Sequence, residues 1–256
     1  MVGNSAQQFP VWIGVVTLFP EMFGAQMKLG VFGRAVSNGL LQVEFFNPRD
    51  FTQDRHQTVD DQPYGGGPGM VMKVEPLAAA VEAAKGAAPR AAEVVLMSPA
   101  GETFVQAQAQ TWGEGCTLIL LCGRYEGLDQ RFIDHYVDRE LSIGDFVLSG
   151  GEIAALAVMD ALARHVDGVL GNKESKISES HLDATLEYPQ YTRPEMSVGF
   201  SVPEVLRSGD HKRIDRYRRR EALRRTFERR PDLLVGRLFD EGDRALLIEV
   251  FSDQAD

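Results

Sequence analysis

The chain has 256 residues, 44% of them hydrophobic and 25% charged, with two cysteines and a formal net charge of −10. This is an ordinary globular composition with material for one large domain or two modest ones. It holds too few cysteines for a disulfide framework, and no apolar run approaches the ~18 residues of a membrane span.

The start, "MVGNSAQQFP", lacks the basic and apolar regions of a secretion signal, so the cytoplasm is the expected compartment. "VWIGVVTLF" (11–19) is β-branched and apolar and predicts a buried strand, and "VEFFNP" predicts a shorter one. "YGGGPGMVMK" (64–73) lacks the GK[ST] ending of a phosphate loop and is either a loop over a ligand or a surface turn. "VEPLAAAVEAAKGAA" (74–88) reads as a helix between strands, with "EVVLMSP" (93–99), "TLILLCG" (117–123) and "RELS" as further strands. "EIAALAVMDALARHV" (152–166) is apolar nearly all round, which predicts a buried helix. Alternating apolar strands and helices point to an α/β domain with a largely parallel sheet.

After Gly171 the character changes. "NKESKISESHLDATLE" (172–187) is polar and weakly patterned, and reads as a linker or mobile loop. From "YPQYTRPE" onward the pattern is helical, ending in "EGDRALLIEVFSD". Residues 207–230 hold ten arginines, one lysine and four acids, a net of +7 in a chain totalling −10, which leaves −17 on the remainder. A basic block on an acidic body fits a polyanionic partner, because eleven cations against four acids leave most of them unpaired within the block. The alternative is a solvated helix face laced with ion pairs.

Three predicted strand ends are rich in glycine: "LMSPAG" (96–101), "LCGRYEGLD" (121–129) and "SIGDFVLSGGE" (142–152). In open α/β sheets ligands bind at the carboxyl ends of strands. Glycines there let the main chain approach a ligand, and apolar neighbours form the walls of a slot suited to a flat heterocycle. No GxGxxG, GxSxG or HExxH occurs, so dinucleotide, esterase-type and zinc-protease chemistry are disfavoured.

"LFPEMF" (18–23), "HQTVDDQPYGGGPGM" (56–70), "CGRYEG" (122–127), "SIGDFVLSGGE" and "YPQYTRP" (188–194) resemble the bacterial tRNA (guanine-N1)-methyltransferases of the knotted (SPOUT) superfamily, in order from about Val11 to the C-terminal helices. The resemblance implies a knotted α/β domain over 11–171, with a deep trefoil knot binding S-adenosylmethionine. It also implies a flexible linker over 172–187 and a small all-helical tRNA-binding domain over 188–256. The implied cofactor contacts are Met97, Ser98 and Pro99; Gly123, Tyr125, Glu126 and Gly127; and Ile143, Gly144, Asp145, Phe146, Val147, Leu148, Gly150 and Gly151. The implied reaction methylates N1 of the guanine 3′ of the anticodon (tRNA position 37) when another guanine precedes it, by a homodimer. Magnesium is used by family members and is not readable from these residues.

N1 of guanine carries a proton, so the transfer calls for a base near N1 and positive charge near O6. Arg164 matches the family's supporting arginine, although a cation at a helix C-terminus also satisfies the helix dipole. The base falls on Glu179, in "ESH" where the family has "DSF" or "DSH". Glutamate keeps the carboxylate on a chain one methylene longer, and Asp183 is a second carboxylate nearby. The rival readings are an RNA-binding protein that has lost its chemistry, and a methyltransferase acting on another RNA position.

Overall fold

The structure is a computed structural model that describes residues 11–170, 180–181 and 183–253. The chain divides into two compact units, one ending at 171 and the other beginning at 172.

The first unit is built on a five-stranded sheet in which every pairing is parallel. Its strands are β1 (Val11–Val16), β2 (Leu41–Phe46), β5 (Glu93–Thr103), β6 (Thr117–Cys122) and β7 (Arg139–Ser142), in the order β2-β1-β6-β5-β7. The pair β3 (Asp60–Asp61) and β4 (Val71–Met72) forms a small antiparallel ladder apart from it. Helices α1 (Gly30–Ser37), α2 (Val74–Ala87), α3 (Gln106–Gly113) and α4 (Gln130–Tyr136) connect the strands, and α5 (Glu152–Ala163) follows β7.

The continuous apolar strands follow from burial on both faces. Along β1, Val11, Ile13 and Val15 join one core with Trp112 of α3 and Val158, Met159 and Leu162 of α5. Trp12 and Val16 join a second core with Leu77, Ala80 and Val81 of α2 and Phe132 of α4. Strand β6 splits the same way, with Leu118, Leu120 and Cys122 on one side and Ile119 and Leu121 on the other. The chain reaches β6 through α3 on one face and then crosses β5 to β7 through α4 on the other. The carboxyl ends of these three strands therefore lie side by side.

Two details sharpen the expectation. Strand β5 runs well past Pro99: its pairing with Leu141 of β7 jumps from Met97 to Glu102, so residues 98–101 bulge out of the ladder. Helix α5 is buried on one side only. Ile153, Ala157 and Asp160 are exposed, so its apolar circumference is not fully used within this chain.

In the second unit, α6 (His211–Arg229) packs against α7 (Glu241–Asp253) through Leu223, Leu246 and Leu247. The unit is not wholly helical, since β8 (Met196–Ser197) and β9 (Phe200–Ser201) form a short hairpin. Most of the span expected as a linker, 172–179 and 182, lies outside the described residues. Its C-terminal part is tied to α6: the Leu186 N–H donates to Thr226 Oγ1 at 2.8 Å, and Arg219 pairs with Asp183 at 2.6 Å.

Candidate cofactor and RNA sites

The ends of β5, β6 and β7 enclose a cleft of about 470 Å³. Met97, Ser98 and Pro99 form one side, and Gly123, Tyr125, Glu126 and Gly127 the second. Ile143, Gly144, Phe146, Val147, Leu148, Gly150 and Gly151 form the third. Of the residues expected at the cofactor, Asp145 alone does not line the cleft, and its side chain is exposed. The main-chain N–H groups of Val147, Leu148, Ser149 and Gly150 donate to no other described residue. Leu148 and Gly150 are half-buried and Val147 and Ser149 exposed, so this edge of the slot is polar and open to water or to a ligand.

The glycines explain the cleft's shape differently from the expected reading. A Cβ on Gly151 would lie 2.7 Å from Cys122 Cα and 3.0 Å from Met97 Cβ. One on Gly101 would lie 2.3 Å from the Leu141 main-chain nitrogen. These two are bare because main chain packs on main chain, and the Gly151 N–H donates to Gly123 O at 3.0 Å. They bring the cleft's three walls together and do not merely clear room for a ligand.

Sequence reading passed over the clamp that fixes those walls. Glu152, in the first turn of α5, is fully buried. It accepts from Thr17 Oγ1 at 2.9 Å and Arg124 Nε at 3.1 Å, and Arg124 Nη2 pairs with it at 2.8 Å. Arg124 also donates to Ser149 O at 3.2 Å and lies 4.5 Å above the Phe19 ring. A charge in water-free surroundings persists only when paired; here the pair joins the β6 loop to the start of α5. The signal was an acid in the first turn of a largely apolar helix.

The triple-glycine loop is fastened to the same place. The Met70 N–H donates to Glu126 Oε2 at 2.7 Å, and the Glu126 N–H donates to Met70 O at 3.0 Å. The Glu126 carboxylate lies where a Cβ of Gly69 would be, and Gly69 has φ +83°, so only glycine fits there readily. Beside the main cleft, a hollow of about 450 Å³ is lined by Phe19, Gly69, Met70, Arg124, Tyr125, Glu126 and Ser149.

Arg164 caps the C-terminal end of α5, whose first turn borders the cleft. The helix places it roughly 20 Å away along the axis at 1.5 Å per residue, and it does not line the cleft. Glu179 lies outside the described residues. Asp183 is committed elsewhere: Arg219 pairs with it at 2.6 Å and Arg237 at 3.3 Å, and Thr185 hydrogen-bonds it. Burial would raise its carboxyl, but the hydrogen bonds from Thr185 and Arg219 and the charges of Arg219 and Arg237 outweigh that and hold it at about 2. Among the described residues no group of three or more His, Cys, Asp or Glu is gathered to hold a metal.

Most cations of the basic block are paired after all, with acids that largely lie outside it. Arg216 reaches Glu249, Arg219 reaches Asp243 and Asp183, and Arg230 reaches Asp232. Arg220 and Arg224 share Glu221, and Arg207 pairs with Glu195. Lys212, Arg213, Arg218, Arg225 and Arg229 make no ion pair with a described residue.

Residues 11–236 match the family described as tRNA (Guanine-1)-methyltransferase TrmD. The chain belongs to this family. It is 52% identical over 238 residues to the tRNA (guanine-N(1)-)-methyltransferase of Pseudoalteromonas atlantica, covering 93% of this chain and 90% of that protein. The proteins of the same name from Shewanella piezotolerans and Haemophilus influenzae are each 51% identical. The first match spans 95% of this chain and 98% of that protein, and the second 93% and 97%. Membership of this family implies the use of S-adenosylmethionine as methyl donor. No described helix is long and apolar enough to cross a membrane.

Proposed function

We propose that this protein transfers a methyl group from S-adenosylmethionine to N1 of the guanine at tRNA position 37. The observation that carries the proposal is the glycine-packed cleft at three adjacent strand ends, with its free main-chain edge, in a chain of this family. When bound, S-adenosylmethionine supplies an electrophilic methyl on a sulfonium. Leu148 and Gly150 offer free N–H groups to the adenine edge, Met97 and Ile143 wall the slot, and the Arg124–Glu152 clamp keeps those walls in register. The neighbouring hollow beside Phe19, Met70 and Glu126 has room for the target base. The close main-chain crossings at Gly101 and Gly151 are compatible with the trefoil knot that the family resemblance implies.

Methyl transfer needs the N1 proton removed and charge at O6 supported. A carboxyl held at about 2 has little affinity for a proton, which argues against Asp183 and favours Glu179 as the base. Arg164 is assigned to O6. Its distance along α5 from the cleft of its own chain, and the exposed apolar Ile153–Ala157 face of that helix, support a homodimer in which two chains complete each site. Sedimentation showing a fully active monomer at micromolar concentration would refute the dimer. The decisive experiment is nucleoside mass spectrometry of a tRNA transcript carrying G36-G37, incubated with the protein and S-adenosylmethionine. It should show 1-methylguanosine at position 37, and parallel reactions with magnesium and with EDTA decide the metal requirement. Methylation at any other atom or position would sink the proposal.

A further inference from the structure

The second unit contains a cavity of about 690 Å³ unrelated to the cofactor cleft, within the size range of small-ligand pockets. The segment "YPQYTR" supplies Tyr188, Tyr191 and Arg193, the turn before α6 supplies Arg207, and α6 itself contributes Ile214 and Arg218. The Arg218 guanidinium sits 5.0 Å over the Tyr188 ring. Its Nε is buried with no hydrogen-bond partner among the described residues. A buried unsatisfied donor of a charged group is costly, and an acceptor entering the cavity would relieve that cost.

The lining has an unbalanced chemistry. Glu195, the one acid of the cavity, is already paired with Arg207. Arg193 and Arg218 have no carboxylate partner among the described residues, and Tyr191 is 47% exposed. An aromatic face beside two unneutralised guanidinium groups matches the two halves of a nucleotide, because bases stack on aromatic rings and phosphate accepts from arginine. Lys212, Arg213, Arg225 and Arg229, also without ion pairs to described residues, lie on the same α6.

We propose that this cavity takes a single unpaired nucleotide of the substrate tRNA, with its base stacked on Tyr191 and its phosphate held by Arg193 and Arg218. The inference rests on the tRNA reading above and adds a contact to a nucleotide other than the methylated guanine. A free mononucleotide has the same chemistry, so the test separates the two sources.

Full-length protein is titrated into labelled tRNA transcript over a salt series, with thermal unfolding and S-adenosylmethionine affinity measured on each variant. Tyr191→Ala should raise Kd roughly 5- to 100-fold, the usual loss of one stacked base, without changing the salt slope. Tyr191→Phe should stay near wild type. Arg193→Ala should weaken binding and flatten the slope by about one phosphate contact. Folded Tyr191→Ala and Arg193→Ala proteins that bind tRNA like wild type would overturn the inference. So would equal losses in Tyr191→Ala and Tyr191→Phe. Adenosine or guanosine monophosphate binding tightly while tRNA affinity is indifferent to these variants would make it a free-nucleotide site, which also overturns it. Failure of the wild-type protein to bind or methylate tRNA would instead count against the proposed function itself.

Discussion

Gly151→Ala isolates the close packing that shapes the cleft at the β5, β6 and β7 ends. Gly151 has φ −77° and ψ −9°, an ordinary right-handed conformation, so alanine is not strained there by its backbone angles. The added methyl would stand 2.7 Å from Cys122 Cα, 3.0 Å from Met97 Cβ and 3.2 Å from the Gly123 nitrogen. Two of those three neighbours are main-chain atoms of the β6 end, which cannot rotate away. Relief requires the start of α5 and the β6 loop to separate by a good part of an ångström. Overpacking of this kind costs about 1–3 kcal/mol, which lowers Tm by roughly 2–10 °C for a domain this size. Because the displaced atoms are cleft walls, S-adenosylmethionine affinity measured by calorimetry should fall by tenfold or more. Gly86→Ala is the control: it lies at an exposed position of α2 with nothing near its would-be Cβ, and should stabilise by about 0.4–1 kcal/mol. A Gly151→Ala protein with wild-type Tm and cofactor affinity would refute the argument that main-chain contact sets the cleft.

Glu152→Gln removes the charge that faces Arg124 inside the fold. Breaking a buried pair costs about 3–5 kcal/mol, reduced here because the Arg124 side chain is still 17% exposed, and chemical denaturation should show the loss together with weaker cofactor binding. Glu179→Gln should lower single-turnover methylation by roughly 10²–10⁴ with cofactor affinity kept, whereas Asp183→Asn should leave the chemical step nearly intact; the reverse pattern would move the base to Asp183. The folded Asp183 carboxyl lies below its unfolded value, so its contribution to stability is present above about pH 4 and lost as pH falls towards 2. Acid unfolding of Asp183→Asn should therefore be less steep in that window. Replacing Lys212, Arg213 and Arg225 with glutamine should weaken tRNA binding and flatten its salt dependence without lowering Tm, while Arg219→Gln should lower Tm because Asp183 and Asp243 each lose their shorter ion pair and keep only Arg237.

Local pattern was enough for the α/β class, for β1, β5, β6 and β7, and for α2 and α5, because buried strands are apolar at every position and these helices are apolar over several turns. It could not find α3 or α4. "QAQAQTWG" has no apolar stripe and "QRFIDHY" is under two turns long, and both are held as helices by tertiary packing, α3 through Trp112 in one core and α4 through Phe132 in the other. The glycine-rich segments were legible as strand ends, since bare backbone between large apolar residues demands a reason. That the reason at Gly101 and Gly151 is another stretch of main chain depended on strand order, which places β5, β6 and β7 side by side. Charge shows the same division. The excess of cations in 207–230 is plain in the sequence, but the acids that neutralise Arg216 and Arg219 lie 33 and 24 residues further on, in α7. Asp183 looked like a spare carboxylate until α6 placed Arg219 against it. Residue type and spacing set the local elements because their forces act over one or two turns. Coulomb pairing and close contact act through space, so only the folded chain could decide which charges and which glycines were already spoken for.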